Sequence, residues 1–291
     1  MENKKVWIEN VIRDFTERSP DNSLRNAAND PAWDAPLVGF SDGADPLYDF
    51  FKNDIGEFYW TPADIFRMTF PEAEARPEDL TVISWILPQT GKTRQENRRE
   101  QLFPAESWAR SRIYGEMYNV KLALHLVGVL ASAGIPALAP SASPLWGWRD
   151  AEKYGIVSNW SERHAAYVSG LGTFGLCDGL ITPKGKAMRC GSVVAMVRLE
   201  PTRRPYGSRF EYCSFLTENG CGKCIERCPT GAITMVGHSK EKCRKFLKIV
   251  SEKSLREFGF ESYGCGLCQT GVPCESGIPV SRRPETGAKN S

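Results

Sequence analysis

The sequence predicts a mixed α/β domain over residues 1–205, followed by a cofactor-binding module over residues 206–291. Three observations carry that division. Short β-branched runs alternate with helical patterns up to about residue 205. A basic, proline-containing stretch, "PTRRPYGSR", then interrupts the alternation. Beyond it the cysteines concentrate: of ten in the chain, eight fall between Cys213 and Cys274, and none precedes Cys177.

The N-terminal segment "MENKKVWIENVIRDFTERS" places Val6, Ile8, Val11, Ile12 and Phe15 at helical spacing among charged residues. Up to about residue 80 the chain is rich in turn formers and aromatics, which predicts short helices joined by irregular segments. "LTVISWILP", Leu80 to Pro88, is a β-branched apolar run closed by proline and reads as a buried strand. A long helix is expected over about 106–133, where apolar residues recur every three or four positions before Gly134. "PALAPSASPL" suggests a short strand and a loop. "SERHAAYVSGLGTFG" reads as a helix capped by Ser161 and stopped by glycines. "GLITPKGKAMRCGSVVAMVRLEPT" predicts two short strands around a turn, and the polar end "SRRPETGAKNS" reads as a tail.

Composition narrows the function classes. Lys and Arg total 37 against 35 Asp and Glu, a net charge of +2, so nothing demands a polyanionic partner. The sequence has no run of ~18 apolar residues, the length a membrane span needs. It opens without an apolar leader segment, and the expected location is the cytoplasm. In that compartment ten cysteines point to metal ligands or catalytic groups rather than disulfides.

The ligand arithmetic starts at "NGCGKCIERCPTGAI", Asn219 to Ile233. Cys221, Cys224 and Cys228 give C-x2-C-x3-C-P, the iron–sulfur run with its first cysteine missing. Counting back three residues lands on Glu218, whereas Cys213 lies eight residues upstream of Cys221 and supplies a thiolate. In two-cluster ferredoxins the last cysteine of each run ligates the other cluster. That rule assigns Cys213, Cys221, Cys224 and Cys274 to cluster 1, and Cys228, Cys243, Cys265 and Cys268 to cluster 2. Two structural zinc sites satisfy the same count. The C-x3-C-P run followed by "TGAI" favours two 4Fe–4S clusters instead. Cys177 and Cys190 fall outside the octet and read as small buried residues, with a redox role as the sharper alternative.

"GLGTFGLCDGLITPKGKAMRCGSVV", Gly170 to Val194, ahead of such a module, resembles the family of epoxyqueuosine reductases and corrinoid reductive dehalogenases. The resemblance covers roughly residues 80–280. It implies a nitroreductase-like α/β domain holding a base-off corrinoid (cobalamin) above the proximal cluster. By the same analogy, electrons pass from an external low-potential donor, a ferredoxin or flavodoxin, through the two clusters to cobalt. Gly170, Gly172, Gly175, Thr182, Pro183, Gly185 and Arg189 match the family's glycine-rich segment, turn and R-x-G strand, and become the implied cofactor-binding set. The implied substrate is a small organic molecule or nucleoside, tRNA included. The chain departs from the family at Ile156, which stands where a gapless extension puts the acidic residue of epoxyqueuosine reductases. Tyr167 is a candidate for the tyrosine proton donor of the dehalogenases, Tyr154 being the other.

From the residues themselves, Glu162 and His164 on the "SERH" helix are further proton-donor candidates. A solvated helix start explains Glu162 equally well. Lys92, Arg94, Arg98, Arg99, Arg110 and Arg112 concentrate positive charge, read first as a solvated helical face and second as a phosphate grip. Trp146 and Trp148 stack on a planar ligand or pack in the core. Two rival functions remain: an electron-transfer protein without a corrinoid, and a flavin-dependent reductase.

Overall fold

The computed structural model describes residues 2–218 and 220–279. In chain order the elements are α1 (Glu2–Arg18), β1 (Leu37–Asp42), α2 (Pro46–Ile55), α3 (Pro62–Thr69), β2 (Thr81–Pro88), α4 (Gly91–Arg99), α5 (Glu106–Arg110), α6 (Glu116–Ser132) and β3 (Ala137–Leu138). There follow β4 (Trp148–Ala151), β5 (Gly155–Ser158), α7 (Glu162–Val168), β6 (Thr173–Phe174), β7 (Leu180–Ile181) and β8 (Met188–Ala195). The cysteine-rich part contributes α8 (Ser214–Glu218), α9 (Lys223–Glu226), β9 (Ile233–Thr234), β10 (Gly237–His238) and α10 (Lys240–Phe258).

The main sheet runs β1-β2-β8-β3, with every pairing antiparallel. Strand β2 is buried along its whole length, which explains why its sequence is a nearly unbroken apolar run. Helices cover both of its faces. On one, Ile83, Trp85 and Leu87 pack with Ile8 and Ile12 of α1 and with Tyr118, Leu122 and Leu126 of α6. On the other, Val82 and Ile86 meet Tyr48 and Phe51 of α2, Ile65 and Phe66 of α3, and Val168 of α7. The strand's period of two thus feeds two separate cores.

Three local expectations need correction. The first 80 residues hold β1, a strand concealed by Gly39 and Ser41. Gly39 is required because a Cβ there would lie 2.4 Å from the Ser169 carbonyl oxygen. Ser41 is buried yet satisfied, its hydroxyl 2.7 Å from that of Tyr48 and 3.1 Å from that of Ser169. The β4–β5 hairpin also has no sequence signal, since its tip lacks a strong turn dipeptide and its face is exposed. Third, β7 and β8 do not pair across the "TPKG" turn. β7 pairs with β6, while β8 joins the main sheet.

The long helix expected over 106–133 forms with a π-helical turn at Ser111–Gly115, between α5 and α6. Trp33 causes that interruption. Its indole Nε1 donates to the Gly115 carbonyl at 3.0 Å, and its ring lies 2.7 Å from where a Gly115 Cβ would sit. A side chain inserted against the ladder is an established cause of such turns.

The cysteine-rich part is built of short elements, and most of its described core is sulfur. Cys213, Cys224 and Cys274 are buried with Leu176, Ile181, Phe215, Ile233 and Val272. The last twelve residues, Val280–Ser291, lie outside the described part, so the expected polar tail falls there. Among the described residues no helix is long and apolar enough to cross a membrane.

Gly191 pairs with Trp85 across β8 and β2, and a Cβ at Gly191 would lie 2.4 Å from the fully buried indole. Gly191→Ala is expected to destabilise the fold by about 1–3 kcal/mol through overpacking. The check is the midpoint of urea unfolding; an unmoved midpoint would refute the packing described.

Candidate metal centre

Nine sulfurs meet where the two parts join. Cys213 precedes α8, Cys224 lies on α9, Cys228 follows it, and Cys243 sits in the first turn of α10. Cys265 precedes a tight 3-10 turn over Leu267–Gln269, Cys268 lies within it, and Cys274 follows it in a loop. All ten cysteines of the chain are free thiols.

The thiols sort into two groups that cut across the sequence runs. Cys274 lies beside Cys213 and Cys177, and Cys224 beside Cys274 and Cys177. Cys221, Cys228 and Cys268 all pack against the apolar cluster to which Cys213, Cys224 and Cys274 belong. Cys265 instead neighbours Cys243 and Cys228, and Cys268 neighbours Cys265. Cys228 therefore parts from Cys224, its predecessor in sequence, and Cys274 parts from Cys268. No three His, Cys, Asp or Glu groups among the described residues converge on a single metal ion. A four-iron cluster spreads its thiolate ligands around a larger body than one ion does.

The "CPTGAI" segment wraps Cys228. Burial opposes ionisation of this thiol, but the Thr230 hydroxyl and the backbone N–H groups of Thr230, Ile233 and Ala232 outweigh it, lowering the pKa. N–H groups aimed at sulfur stabilise a thiolate, the form that binds iron.

A set of charged side chains clamps this part onto the α/β part. Glu275 is 3% exposed and receives Arg98 through Nε at 3.1 Å and through a second nitrogen at 2.5 Å. Glu275 also accepts from the Gly271 backbone N–H at 2.6 Å. Arg227 donates to the carbonyls of Leu267, Thr270, Glu100 and Asn97, stitching the 267–270 turn to α4. The 264–266 backbone lies flat on Trp108 and Arg112. A Cβ on Gly266 would fall 1.9 Å from the indole, and one on Gly264 would fall 2.2 Å from the Arg112 chain.

Cys177, set outside the octet by its spacing, lies among these thiols. The Cys224 and Cys268 sulfurs lie within hydrogen-bond reach of it. Lys186 is only 3% exposed, and its Nζ is 3.2 Å from the Cys177 sulfur. Burial alone would depress the Lys186 pKa; the surrounding Cys177, Cys274, Cys268 and Cys224 reverse that and raise it. Sequence reasoning missed Lys186 entirely. Cys190, by contrast, is an apolar filler of β8, its thiol pushed up to about 12 by burial.

The cofactor-binding set implied by resemblance is used largely for protein packing. Gly170, at φ +79, faces the Arg203 carbonyl oxygen 3.0 Å from its Cβ position. Gly172 has the Ile181 carbonyl oxygen 2.2 Å from that position, and Gly175 has the Ile181 side chain at 3.2 Å. Thr182, Pro183 and Gly185 form a tight turn, in which the Thr182 hydroxyl donates to the Gly185 carbonyl at 2.8 Å. Gly185, at φ +82, abuts the Glu275 carbonyl oxygen. Arg189 pairs with Glu116, which also meets Arg112 at 3.9 Å.

Of the three proton-donor candidates, Glu162 alone has its pKa moved close to neutrality. Burial raises its carboxyl to about 7; Ser141 donates to Oε1 at 2.5 Å, and Oε2 is buried without a partner. His164 is enclosed by Phe51, Tyr59 and Phe174, and burial lowers it to about 3, so it is a neutral imidazole at physiological pH. Tyr167 is buried against Tyr206 and Phe174, and burial raises its pKa. Asp178, at φ +59, pairs with His238 at 2.9 Å, and His238 hydrogen-bonds in turn to Cys243.

The basic residues of α4 and α5 are engaged within the protein. Lys92 meets Asp30 at 2.6 Å, and Arg110 meets Glu106 at 2.7 Å and the Arg25 carbonyl at 3.0 Å. Trp146 donates to the Trp160 carbonyl at 3.2 Å, whereas Trp148 is 63% exposed on β4.

Two substitutions probe this arrangement. Glu275→Gln keeps the shape but drops the charge that holds Arg98, and is expected to cost about 2 kcal/mol of stability. Chelator-induced bleaching of the reconstituted protein should quicken; wild-type kinetics would rule out the clamp. For Glu162, the folded-state pKa of about 7 exceeds the ordinary 4.5, so folding favours the protonated form. The wild type then loses stability as pH rises from about 4.5 through about 7, while Glu162→Gln does not. The variant's advantage should grow over that window to the order of 2 kcal/mol in urea melts, and a pH-independent difference would sink the assignment.

Comparison with known proteins places the chain. Residues 219–234 match the 4Fe-4S binding domain family. The chain is 31% identical over 131 residues to an epoxyqueuosine reductase of Bacillus cereus, covering 43% of this chain and 32% of that protein. It is 30% identical over 134 residues to one from Bacillus anthracis, again covering 43% of this chain and 32% of that protein. The shared segment thus spans about a third of the curated relatives' length. Among solved structures, an epoxyqueuosine reductase with an epoxyqueuosine-modified tRNA stem loop is 20% identical, with a TM-score of 0.47, covering 85% of this chain and 64% of that one. A catabolic reductive dehalogenase is 16% identical, with a TM-score of 0.46, covering 84% of this chain and 30% of that one. Over the shared segment the chain is a divergent relative of the epoxyqueuosine reductases.

Proposed function

We propose that this divergent relative of the epoxyqueuosine reductases is an iron–sulfur oxidoreductase with two 4Fe–4S clusters. Cys213, Cys221, Cys224 and Cys274 hold one cluster, and Cys228, Cys243, Cys265 and Cys268 hold the other. The observation that carries the proposal is the exchange of Cys228 and Cys274 between the sulfur groups, beside a matched 4Fe-4S segment. The buried Lys186 ammonium, on whose charge cysteines act most strongly, suits the anionic thiolate set of such clusters. Each bound cluster supplies one-electron transfer, so two together match a two-electron reduction.

Electrons enter at cluster 2. Cys228, Cys243, Cys265 and Cys268 are all partly exposed, whereas Cys213, Cys224 and Cys274 are buried. Cys221 of cluster 1 is partly exposed as well, so an external ferredoxin or flavodoxin meets four partly exposed ligands at cluster 2 against one at cluster 1. The terminal acceptor is a small organic or nucleoside substrate, with tRNA suggested by the relatives' name. Glu162 holds a proton at its buried carboxyl near neutral pH, as a reduction that consumes protons needs.

The acceptor that the resemblance implies is a base-off corrinoid. The close packing at Gly170, Gly172 and Gly185 concerns their own Cβ faces, which backbone of Arg203, Ile181 and Glu275 fills.

Anaerobic reconstitution is expected to give about eight irons and eight sulfides per chain. Cys213→Ser and Cys274→Ser should each retain about four, with the signals of cluster 2 intact in EPR. A wild type that binds zinc or stops at four irons refutes the two-cluster assignment. In a cobalamin titration followed by gel filtration, one base-off corrinoid per chain is expected to be retained. No retention with about eight irons still present would leave an electron carrier, and yellow flavin absorbance would mark a flavin enzyme.

A further inference from the structure

The Lys186–Cys177 pair has no part in ligation or in the proton chemistry above, yet it occupies the most protected point of the sulfur nest. Lys186 is held on two sides. Its backbone N–H donates to the Cys274 carbonyl at 2.9 Å, while its ammonium contacts the Cys177 sulfur at 3.2 Å and hydrogen-bonds to Cys274. The groups that act most strongly on its charge are Cys177, Cys274, Cys268 and Cys224. Cys177 in turn touches Cys224 of one ligand group and Cys268 of the other.

A buried unit charge next to a cluster acts through a poorly screening medium. Reducing a 4Fe–4S cluster adds one electron and one negative charge to it, with no bond made or broken. A fixed cation beside its ligands favours the reduced form, as net charge and hydrogen bonds to sulfur set cluster potentials. We infer that Lys186 raises the reduction potential of the cluster held by Cys213, Cys221, Cys224 and Cys274, and that Cys177 is the non-ligating thiol that positions its ammonium between the two clusters. This rests on the iron–sulfur reading above. The pair makes the buried cluster the easier one to reduce, and so pulls electrons inward from the exposed one.

The test is an EPR-monitored redox titration of the anaerobically reconstituted full chain, with dithionite as reductant. Lys186→Met should keep about eight irons but show at least a tenfold lower ratio of reduced to oxidised buried cluster at the wild-type midpoint, about 59 mV for one electron. Lys186→Arg, which retains the charge, should restore most of the shift. Cys177→Ser should also keep its iron, because Cys177 is not a ligand. Wild-type protein labelled with 15N-lysine should show a weak nitrogen coupling to the reduced buried cluster in pulsed EPR, a readout that needs no variant. An unchanged potential in Lys186→Met or an absent 15N coupling overturns the inference while leaving the clusters in place, and iron loss in Cys177→Ser overturns it by making Cys177 a ligand. A wild type without clusters overturns the iron–sulfur reading itself.

Discussion

The backbone contact between the Lys186 N–H and the Cys274 carbonyl fixes the geometry of the whole sulfur nest. It is tight enough that Gly185 has no room for a Cβ beside Glu275. With the 182–187 turn laid along the 274–275 loop, Cys274 is pulled away from Cys268 and toward Cys213 and Cys224. The same contact brings Lys186 in among the sulfurs and sets Glu275 where Arg98 can reach it. Losing the register of this one contact would misplace a ligand, a cation and the clamp together.

The charges around the nest are arranged with one sign dominating. Arg98, Arg227 and Lys186 approach from different directions, two of them spending their donors on backbone carbonyls or on Glu275, and Lys186 spending its own on sulfur. Cationic side chains held this way lower the cost of gathering thiolates in a buried place. Farther into the α/β part, Glu116 with Arg189 and Arg112 forms a self-contained buried pairing, and Glu162 avoids the cost of burial by keeping its proton. Buried ionisable groups thus follow two solutions in this fold, compensation near the sulfurs and neutralisation away from them.

The departures from the relatives fall together in space. Ile156, which takes the place of the family's acid in a gapless extension, lies on β5, and its carbonyl receives Lys240 of α10 at 3.4 Å. Lys240 also reaches the Tyr154 carbonyl at 3.0 Å. The β4–β5 hairpin is therefore tied down onto the cysteine-rich part, and the glycine-rich turn beneath is filled with protein backbone.

The sequence by itself determined the elements and chemistry that are encoded locally. The unbroken apolar run of β2, the helical period of α6, the Ser161 cap of α7 and the cysteine spacing that proposes the ligand set all lie within a few residues of themselves. The π-helical turn, strand β1 and the β4–β5 hairpin were not legible, because Trp33, Ser169 and Lys240 act on them from distant parts of the chain. Only the tertiary structure decided that the glycines pack against backbone, that His164 is locked in an aromatic cage, and that Cys177 joins the sulfurs. Lys186 shows why. In sequence it is one lysine in a polar turn, and its meaning comes from burial and from partners 9 to 88 residues away, most of which no local pattern records.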